Sequence, residues 1–161
     1  MAKQQVFIKI GFVFLLLLAV VRGWAQDTTT VLQYLDNAKK ATTYEVTLAQ
    51  FERAYTLAKQ LKYTKGIQLS LAFMGGVELE RGEAPKALRY LLEELDLLIQ
   101  ATTSTRIVEV STIIGDIYTG EKLFEEALSY YHRALTESSS NQLYQKLGDS
   151  YAALLLSLIH I

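Results

Sequence analysis

Residues 113–135 read IIGDIYTGEKLFEEALSYYHRAL, the clearest copy of a pattern that recurs along the chain. The spacing of five residues indicates two short helices packed as an antiparallel pair: Gly115, Tyr118, Ala127, Tyr131 and Ala134. A tight turn near 120–122 would join the two helices. Small residues at 115 and 127 would let the two helix backbones cross closely, because larger side chains would cost about 1–3 kcal/mol through overpacking. Three aromatic residues are expected to fill the space between this pair and the next: Tyr118, Phe124 and Tyr131.

The same pattern recurs along the chain at a constant shift, the one that takes position 35 to 75 and 75 to 115. Four sets of positions fall in register: Leu35, Gly75 and Gly115; Thr47, Ala87 and Ala127; Phe51, Leu91 and Tyr131; and Ala54, Glu94 and Ala134. A partial fourth copy follows at a shorter shift, where KLGDSY at 146–151 repeats IGDIY at 114–118. Self-similarity at a fixed period is typical of repeat proteins. We therefore predict an all-α fold, an α-solenoid of stacked antiparallel helix pairs.

The helices themselves can be placed along the chain. A single proline leaves long stretches free to be helical, and runs that alternate apolar and polar residues between hairpin turns are missing. Helices are predicted at 28–41, 44–62, 65–81, 85–101, 104–119, 124–137 and 141–155. Pro85 would begin its helix, where its missing N–H costs nothing, and the polar linker 138–141 offers serine or asparagine as a cap. The corresponding repeats are 28–64, 65–104, 105–140 and a partial copy at 141–155.

The repeated residues resemble the tetratricopeptide repeat (TPR) family, in which L-G-x-x-Y is followed by A-x-x-x-F/Y and a further alanine. The third copy has the pattern as Ile114, Gly115, Tyr118, Ala127, Tyr131 and Ala134. The second has Met74, Gly75, Gly82, Ala87 and Leu91, and the fourth has Leu147, Gly148 and Tyr151. The first copy departs from it, with Leu35 for glycine and Thr47 for alanine. The resemblance covers roughly residues 28–155 and is closest to a longer-helix subtype of exported bacterial proteins; the domain is expected to span 26–155.

The resemblance implies a protein or peptide partner, bound on a concave face that the first helix of each repeat lines. In this register the groove residues would be Leu69, Ala72, Gly76, Leu79 and Glu80, then Glu109, Thr112, Asp116 and Thr119, then Gln142, Gln145 and Asp149. Some family members clamp a peptide carboxylate with lysine and asparagine at such positions. Here the positions hold Ala72, Gly76, Thr112, Asp116, Gln145 and Asp149 instead. The expected ligand is therefore a neutral, partly apolar peptide or a neighbouring helix.

The start of the chain has the pattern of an export signal. Lys3 and Lys9 precede an uncharged apolar core, IGFVFLLLLAVV at 10–21, and Gly23 and Ala25 provide the small residues of a cleavage site. We predict a signal peptide over 1–25, cleaved after Ala25, and an exported protein. The alternative is a retained membrane anchor, although about 20 apolar residues are needed to cross a bilayer.

Composition argues against several classes of function. Sixteen basic and 17 acidic residues give a net charge of −1, so no concentrated positive surface is expected to attract nucleic acid. The chain has no cysteine, which excludes disulfides and thiolate chemistry. His132 lacks companion ligands and is interpreted as a surface residue. We predict no metal, no cofactor and no enzymatic activity.

Other possible chemical motifs have simpler interpretations. The acidic runs Glu93-Glu94-Asp96 and Glu125-Glu126 are expected on outer, solvated helix faces and not as catalytic pairs. Gly75-Gly76 does not form a phosphate loop, because no strand precedes it and no Gly-Lys-Ser/Thr follows.

The last residues of the chain carry a separate expectation. LSLIHI at 156–161 is the translation of CTG TCT CTT ATA CAC ATC, a transposase adapter used in sequencing libraries. We interpret 156–161 as non-native and expect a longer protein; the alternative is a true apolar tail or the start of a membrane helix. Membrane association is expected only through that further sequence. Two functions then remain: the N-terminal sensing region of a bacterial histidine kinase or transcriptional regulator, or a free-standing periplasmic or surface assembly scaffold.

Overall fold

The computed structural model describes residues 27–101, 104–138 and 140–159, and within these ranges every regular element is a helix. Helix α1 covers 27–40. The helices that follow are α2 (Tyr44–Gln60), α3 (Thr64–Glu80), α4 (Ala84–Ala101), α5 (Ser104–Gly120), α6 (Phe124–Glu137) and α7 (Asn141–Ile159). Helix α5 packs on α4 and on α6, and α6 packs on α7. The predicted all-α helical-repeat fold is confirmed.

The helix boundaries agree closely with the predicted ones, with one exception. Helix α7 continues to Ile159 instead of ending at 155. Helix α4 begins at Ala84, so Pro85 is its second residue and not its first. This position is still in the first turn, where backbone N–H groups have no partner within the helix. The predicted signal peptide lies outside the described residues, as do the last two residues of the predicted adapter tail.

The chain divides into two compact units within α3, one up to Ser70 and the other from Leu71. In the first unit, the Thr43 side chain caps α2 by accepting a hydrogen bond from the N–H of Val46. The buried apolar residues of this unit lie on α1 and α2: Val31, Leu35, Ala38, Phe51, Ala54 and Ala58.

The core of the second unit is a cluster of apolar residues on α4 and α5: Ala87, Leu91, Leu95, Leu98, Ile107, Val110 and Ile114. The repeat register places one close contact in each of two helix pairs. A Cβ atom built on Gly75 would lie 3.2 Å from Cδ2 of Leu91, and one built on Gly115 would lie 2.5 Å from Cε1 of Tyr131. Gly115 therefore makes room for a ring of α6. The predicted partner of Gly115 was Ala127; that residue is fully buried, but the atoms nearest to Gly115 belong to Tyr131.

Three helices end in the same hydrogen-bonded turn. Lys62, Gly82 and Lys122 have positive φ angles of 53°, 74° and 62°. After α5, the N–H of Lys122 donates to the carbonyl of Thr119 and the N–H of Leu123 donates to that of Tyr118. The turns after α2 and α3 have the same two bonds, which define the Schellman motif. The predicted turn near 120–122 is thus present, and its left-handed residue is Lys122, because α5 continues through Gly120.

Replacing Lys122 by glycine is expected to raise the free energy of unfolding by about 1 kcal/mol, because glycine adopts positive φ without the steric cost that a Cβ imposes. Gly82→Ala should lower it by a similar amount. Urea denaturation followed by circular dichroism measures both effects. Lys122→Ala is the control, since it removes the side chain but keeps the Cβ; a gain in that variant equal to the gain in Lys122→Gly would contradict the backbone explanation.

Two fully buried serines differ in their hydrogen bonding. The Ser70 hydroxyl on α3 donates to the carbonyl of Gly66 at 2.8 Å. Ser111 on α5 is equally buried, but among the described residues its Oγ has no hydrogen-bond partner. A buried hydroxyl without a partner loses its hydration and gains nothing in return.

Ser111→Ala is therefore expected to stabilise the protein by about 1 kcal/mol, because it removes a desolvated polar group at little cost in volume. Ser70→Ala, the matched change at a bonded serine, should leave stability unchanged or lower it slightly. Thermal and urea unfolding of both variants test this. Equal destabilisation by the two changes would show that Ser111 is satisfied.

Candidate partner-binding groove

A groove of about 390 Å³ lies between α5 and α7, the first helices of consecutive pairs. Its lining combines three apolar residues with polar ones: Val108, Glu109, Thr112, Ile113, Asp116, Ser140, Gln142, Leu143 and Lys146. At the start of α7 the Ser140 side chain accepts a hydrogen bond from the N–H of Leu143 at 3.2 Å. The polar linker thus caps the helix as predicted and places the first turn of α7 opposite α5.

The predicted groove residues of α5 and α7 divide into two sets. Glu109, Thr112 and Asp116 line the groove together with Gln142. Gln145 and Asp149 are exposed on α7 and do not line it. Lys146 takes their place, because a residue four positions after Gln142 is only about 40° around the helix from it, whereas Gln145 lies about 60° to the other side.

Thr119 contacts the neighbouring helix instead of the groove. Its hydroxyl donates to the carbonyl of Gly115 at 2.9 Å and lies 3.1 Å from the hydroxyl of Tyr131. This side chain therefore belongs to the α5–α6 contact.

The predicted groove residues of α3 that belong to the second unit do not line the α5–α7 groove. Leu69 belongs to the first unit. Leu79 packs against the apolar cluster of α4 and α5, which makes it a core residue of the second unit. Ala72 is half-buried and Glu80 is exposed.

One wall of the groove is held by hydrogen bonds that join three helices. The ammonium of Lys146 on α7 pairs with both carboxylate oxygens of Asp116 on α5, at 2.6 Å from Oδ2. The Tyr131 hydroxyl on α6 donates to Asp116 Oδ1 at 2.7 Å. Lys146 also lies 5.9 Å from the centre of the Tyr131 ring. Asp116 is thereby oriented from two sides, and its charge is neutralised within the groove.

The environment of Tyr131 keeps this hydroxyl protonated. Burial raises the pKa of Tyr131 to about 12, and the acceptor Asp116 adds to the effect while the hydrogen bond with Thr119 opposes it. Because the folded-state pKa exceeds the ordinary value of 10.0, the stabilisation linked to this proton is complete below pH 10 and is lost as the pH rises towards 12. Around neutral pH, Tyr131 therefore remains a donor to Asp116.

A second group of charges lies at the end of the groove nearest the start of α5. Arg106 donates from Nε to Glu94 Oε1 at 2.8 Å and from Nη1 to Glu109 Oε2 at 2.7 Å. Glu94 is only 1% exposed, and burial, which outweighs the opposing effect of Arg106, raises the pKa of its carboxyl group. The prediction that Glu94 lies on a solvated outer face was wrong.

The alignment of the repeats indicates that position 94 is buried. Glu94 is in register with Ala54 and Ala134, and both of these alanines are fully buried. Three other residues of the two acidic runs are exposed, as predicted: Asp96, Glu125 and Glu126.

No protein-family model and no curated protein matches this chain. The resemblance to tetratricopeptide repeats therefore stays a prediction from the repeated residues.

The remaining features of the described ranges add no metal site. No three His, Asp or Glu side chains among residues 27–101, 104–138 and 140–159 are grouped so that they could hold a metal ion. His132 is exposed, and its Nε2 lies 3.0 Å from the hydroxyl of Tyr151. Among the helices that the structure describes, none has both the length and the apolar character needed to cross a membrane.

The first unit contains a separate pocket of about 450 Å³ between α1 and α2. Its lining residues were not among the predicted groove positions: Tyr34, Ala49, Glu52, Arg53, Thr56, Leu57 and Gln60. Only one of these residues, Tyr34, comes from α1, so the pocket is mainly a surface of α2.

Proposed function

We propose that this chain is an exported protein-interaction module of the tetratricopeptide type that binds a segment of a partner protein in the α5–α7 groove. The observation that carries the proposal is the position and lining of the groove. It lies between the first helices of consecutive pairs, where repeat proteins commonly bind their partners. Apolar residues with a few placed polar groups are the usual composition of a binding site.

The charges of the groove favour a neutral, partly apolar ligand. Lys146 is paired with Asp116, and Arg106 is paired with Glu109. A ligand that carried its own charge would have to compete with these ion pairs, whereas an apolar side chain could contact Val108, Ile113 and Leu143 without disturbing them.

The wider role that we propose is non-catalytic, with no cofactor. Export rests on the predicted signal peptide, and the sensing role rests on the resemblance to exported bacterial repeat proteins. We propose that the module is the N-terminal sensing region of a larger bacterial signalling protein, a histidine kinase or a transcriptional regulator. A free-standing periplasmic or surface scaffold is the alternative, and the sequence that follows the repeats in the complete gene distinguishes the two.

The groove can be tested by filling it. Thr112 lies in its lining, and Thr56 lies in the pocket of the first unit. Both hydroxyls donate to the carbonyl four residues earlier at 2.8 Å, so Thr112→Trp and Thr56→Trp are matched substitutions. Peptides selected from a random library on the unmodified protein would be labelled, and their dissociation constants measured by fluorescence anisotropy.

We expect Thr112→Trp to weaken binding of the selected peptides at least tenfold, and Thr56→Trp to leave it unchanged. Hydrogen–deuterium exchange should show protection on α5 and α7 when peptide is bound. Peptides that bind the Thr112→Trp variant with undiminished affinity would place the binding surface elsewhere and contradict the proposal.

Export is tested separately. A fusion of the chain to alkaline phosphatase, which is active only outside the bacterial cytoplasm, should be active, and deletion of residues 1–25 should abolish the activity. Sequencing of the mature N-terminus is expected to begin at Gln26. An active fusion that retains Met1 would instead support the membrane-anchor alternative.

A further inference from the structure

Three charged side chains connect the interior of the second unit to one end of the α5–α7 groove. Glu94 on α4 is only 1% exposed, and its two carboxylate oxygens accept hydrogen bonds from Nε and Nη2 of Arg106 at 2.8 and 3.3 Å. Nη1 of Arg106 donates to Oε2 of Glu109 at 2.7 Å, and Glu109 lines the groove. We call these three residues the Arg106 bridge.

Packing alone does not explain an acidic residue at position 94. Its equivalents in the other repeats are Ala54 and Ala134, and both are fully buried. A carboxylate at such a position loses its hydration, and a buried ion pair often stabilises a fold no better than apolar residues of similar volume. The effect of Glu94 on Arg106, and through it on the groove, supplies the missing explanation.

The Arg106 bridge orients the carboxylate of Glu109. The Glu109 side chain is 56% exposed, and a long exposed side chain has several rotamers of similar energy. Arg106 is held by two bonds to the buried Glu94 carboxylate, and a planar guanidinium fixed in this way presents its other N–H groups in fixed directions. Because Glu109 accepts one of these N–H groups, its carboxylate is oriented before a ligand binds.

The second carboxylate oxygen of Glu109 can bind a ligand. Among the described residues, the hydrogen bond that Glu109 accepts from a side chain goes to Oε2, which leaves Oε1 for another donor. An ionised carboxylate accepts hydrogen bonds and cannot donate them. The ligand group at this end of the groove is therefore a hydrogen-bond donor.

The geometry favours a neutral donor over a cation. Arg106 contacts the same carboxylate, so a cation placed on Oε1 of Glu109 would lie close to the guanidinium and be repelled by it. A main-chain N–H avoids this repulsion, and its hydrogen bond to an ionised acceptor is stronger than one between neutral groups. Every residue of a bound segment except proline carries such a donor.

We propose that Glu109 accepts a hydrogen bond from a main-chain N–H of the bound segment, and that Glu94 is a positioning residue that acts through Arg106. This inference rests on the proposed function, because it concerns the ligand of the same groove. It adds a requirement for a donor at one place along the ligand, next to the apolar side chains that contact Val108 and Leu143.

The contact with Glu109 is tested with the peptides selected on the unmodified protein. Each main-chain nitrogen of a selected peptide is methylated in turn, which removes one donor at a time. At one position, methylation should weaken binding to the unmodified protein about tenfold but change binding to Glu109→Met less than twofold. The unmethylated peptide should bind Glu109→Met about tenfold more weakly than it binds the unmodified protein.

The positioning role is tested with the double variant Glu94→Met/Arg106→Met, which removes one charge of each sign and leaves the net charge unchanged. We expect it to bind the selected peptides at least threefold more weakly, because Glu109 is no longer oriented in advance. In the Glu109→Met background the same double substitution should cause no further loss. A purely structural effect would weaken binding equally in both backgrounds.

Arg106→Lys provides a second measurement for the case in which the double variant does not fold. Lysine keeps the positive charge but lacks the planar fork that joins the two carboxylates. Its affinity for the selected peptides should lie between those of the unmodified protein and Glu109→Met. Circular dichroism of each variant shows that the helices are retained.

Failure of this inference differs from failure of the proposed function. Undiminished affinity for Glu109→Met, while Thr112→Trp still weakens binding, would overturn the hydrogen bond to Glu109 and leave the groove in place. Equal losses in the two backgrounds would overturn the positioning role of Glu94, as would full affinity of Arg106→Lys. Undiminished binding to Thr112→Trp would contradict the groove itself, and this inference with it.

Discussion

Arg106→Met is expected to lower the free energy of unfolding by about 3–5 kcal/mol at pH 7, the usual cost of leaving one partner of a buried ion pair without the other. Arg106 supplies two donors to the carboxylate of Glu94, at 2.8 and 3.3 Å, and Glu94 is almost completely buried. Methionine keeps much of the volume of the arginine side chain and removes only the charge and the donors. Urea denaturation at constant ionic strength measures the loss.

The pH dependence of this loss has a defined sign. Burial raises the folded-state pKa of Glu94, and removing Arg106 raises it further. A carboxyl group with a raised pKa binds more protons in the folded state, so its contribution to stability increases as the pH falls. The deficit of Arg106→Met should therefore shrink between pH 7 and pH 5. A deficit that grows on acidification would contradict the assignment.

Two controls isolate the buried pair. Glu109 is the exposed partner of the same arginine, with a side chain that is 56% exposed, and Glu109→Gln should cost at most about 1 kcal/mol. Replacing Glu94 and Arg106 together by methionine should recover most of the stability, because apolar residues of similar volume often substitute for a buried ion pair without loss. If the double variant is as unstable as Arg106→Met, the isolated charge is not the cause.

Gly115→Ala is expected to destabilise the protein by about 1–3 kcal/mol, the usual cost of overpacking. The added methyl group would lie 2.5 Å from Cε1 and 2.7 Å from Cδ1 of Tyr131. The ring would have to move, and its hydroxyl would then lose its bonds to Asp116 and Thr119. This loss should exceed the gain of about 1 kcal/mol that alanine brings to a helix interior.

The repeat supplies the matched control at Gly148. This glycine has the same position in α7 and open space around it, so Gly148→Ala should stabilise the protein by about 0.5–1 kcal/mol through helix propensity. Chemical denaturation of both variants gives the contrast. A partial rescue of Gly115→Ala by Tyr131→Leu is expected, because Leu91 leaves 3.2 Å for the corresponding methyl group at Gly75. Equal effects at positions 115 and 148 would contradict the packing explanation.

The sequence was sufficient for the positions of the helices and for the equivalence of positions in successive repeats. Periodicity and turn residues act over a few positions, and the register relates Gly75 to Gly115 and Leu91 to Tyr131. The contact between each glycine and the side chain that covers it came from the structure, because the predicted partner of Gly115 was Ala127. The same register could also have predicted that Glu94 is buried, because its equivalents Ala54 and Ala134 are, but the acidic run around it was interpreted by composition alone.

Local sequence patterns do not predict which residues of α5 and α7 face each other in the groove. Asp116 and Lys146 are far apart in the chain and on helices of different pairs, so their contact depends on how α7 is rotated about its axis. A difference of one residue changes that rotation by about 100°, which explains why the predicted Gln145 does not line the groove while the next residue, Lys146, does.

From the amino-acid sequence alone came the helical class, the turns and the register, since these depend on backbone preferences and on side-chain volume at short range. The tertiary structure alone decided which charges face each other: Arg106 with the buried Glu94, and Lys146 with Asp116 in the groove. The physical reason is that an ion pair requires a separation of only a few ångströms, and such proximity between distant residues arises only after the helices have packed.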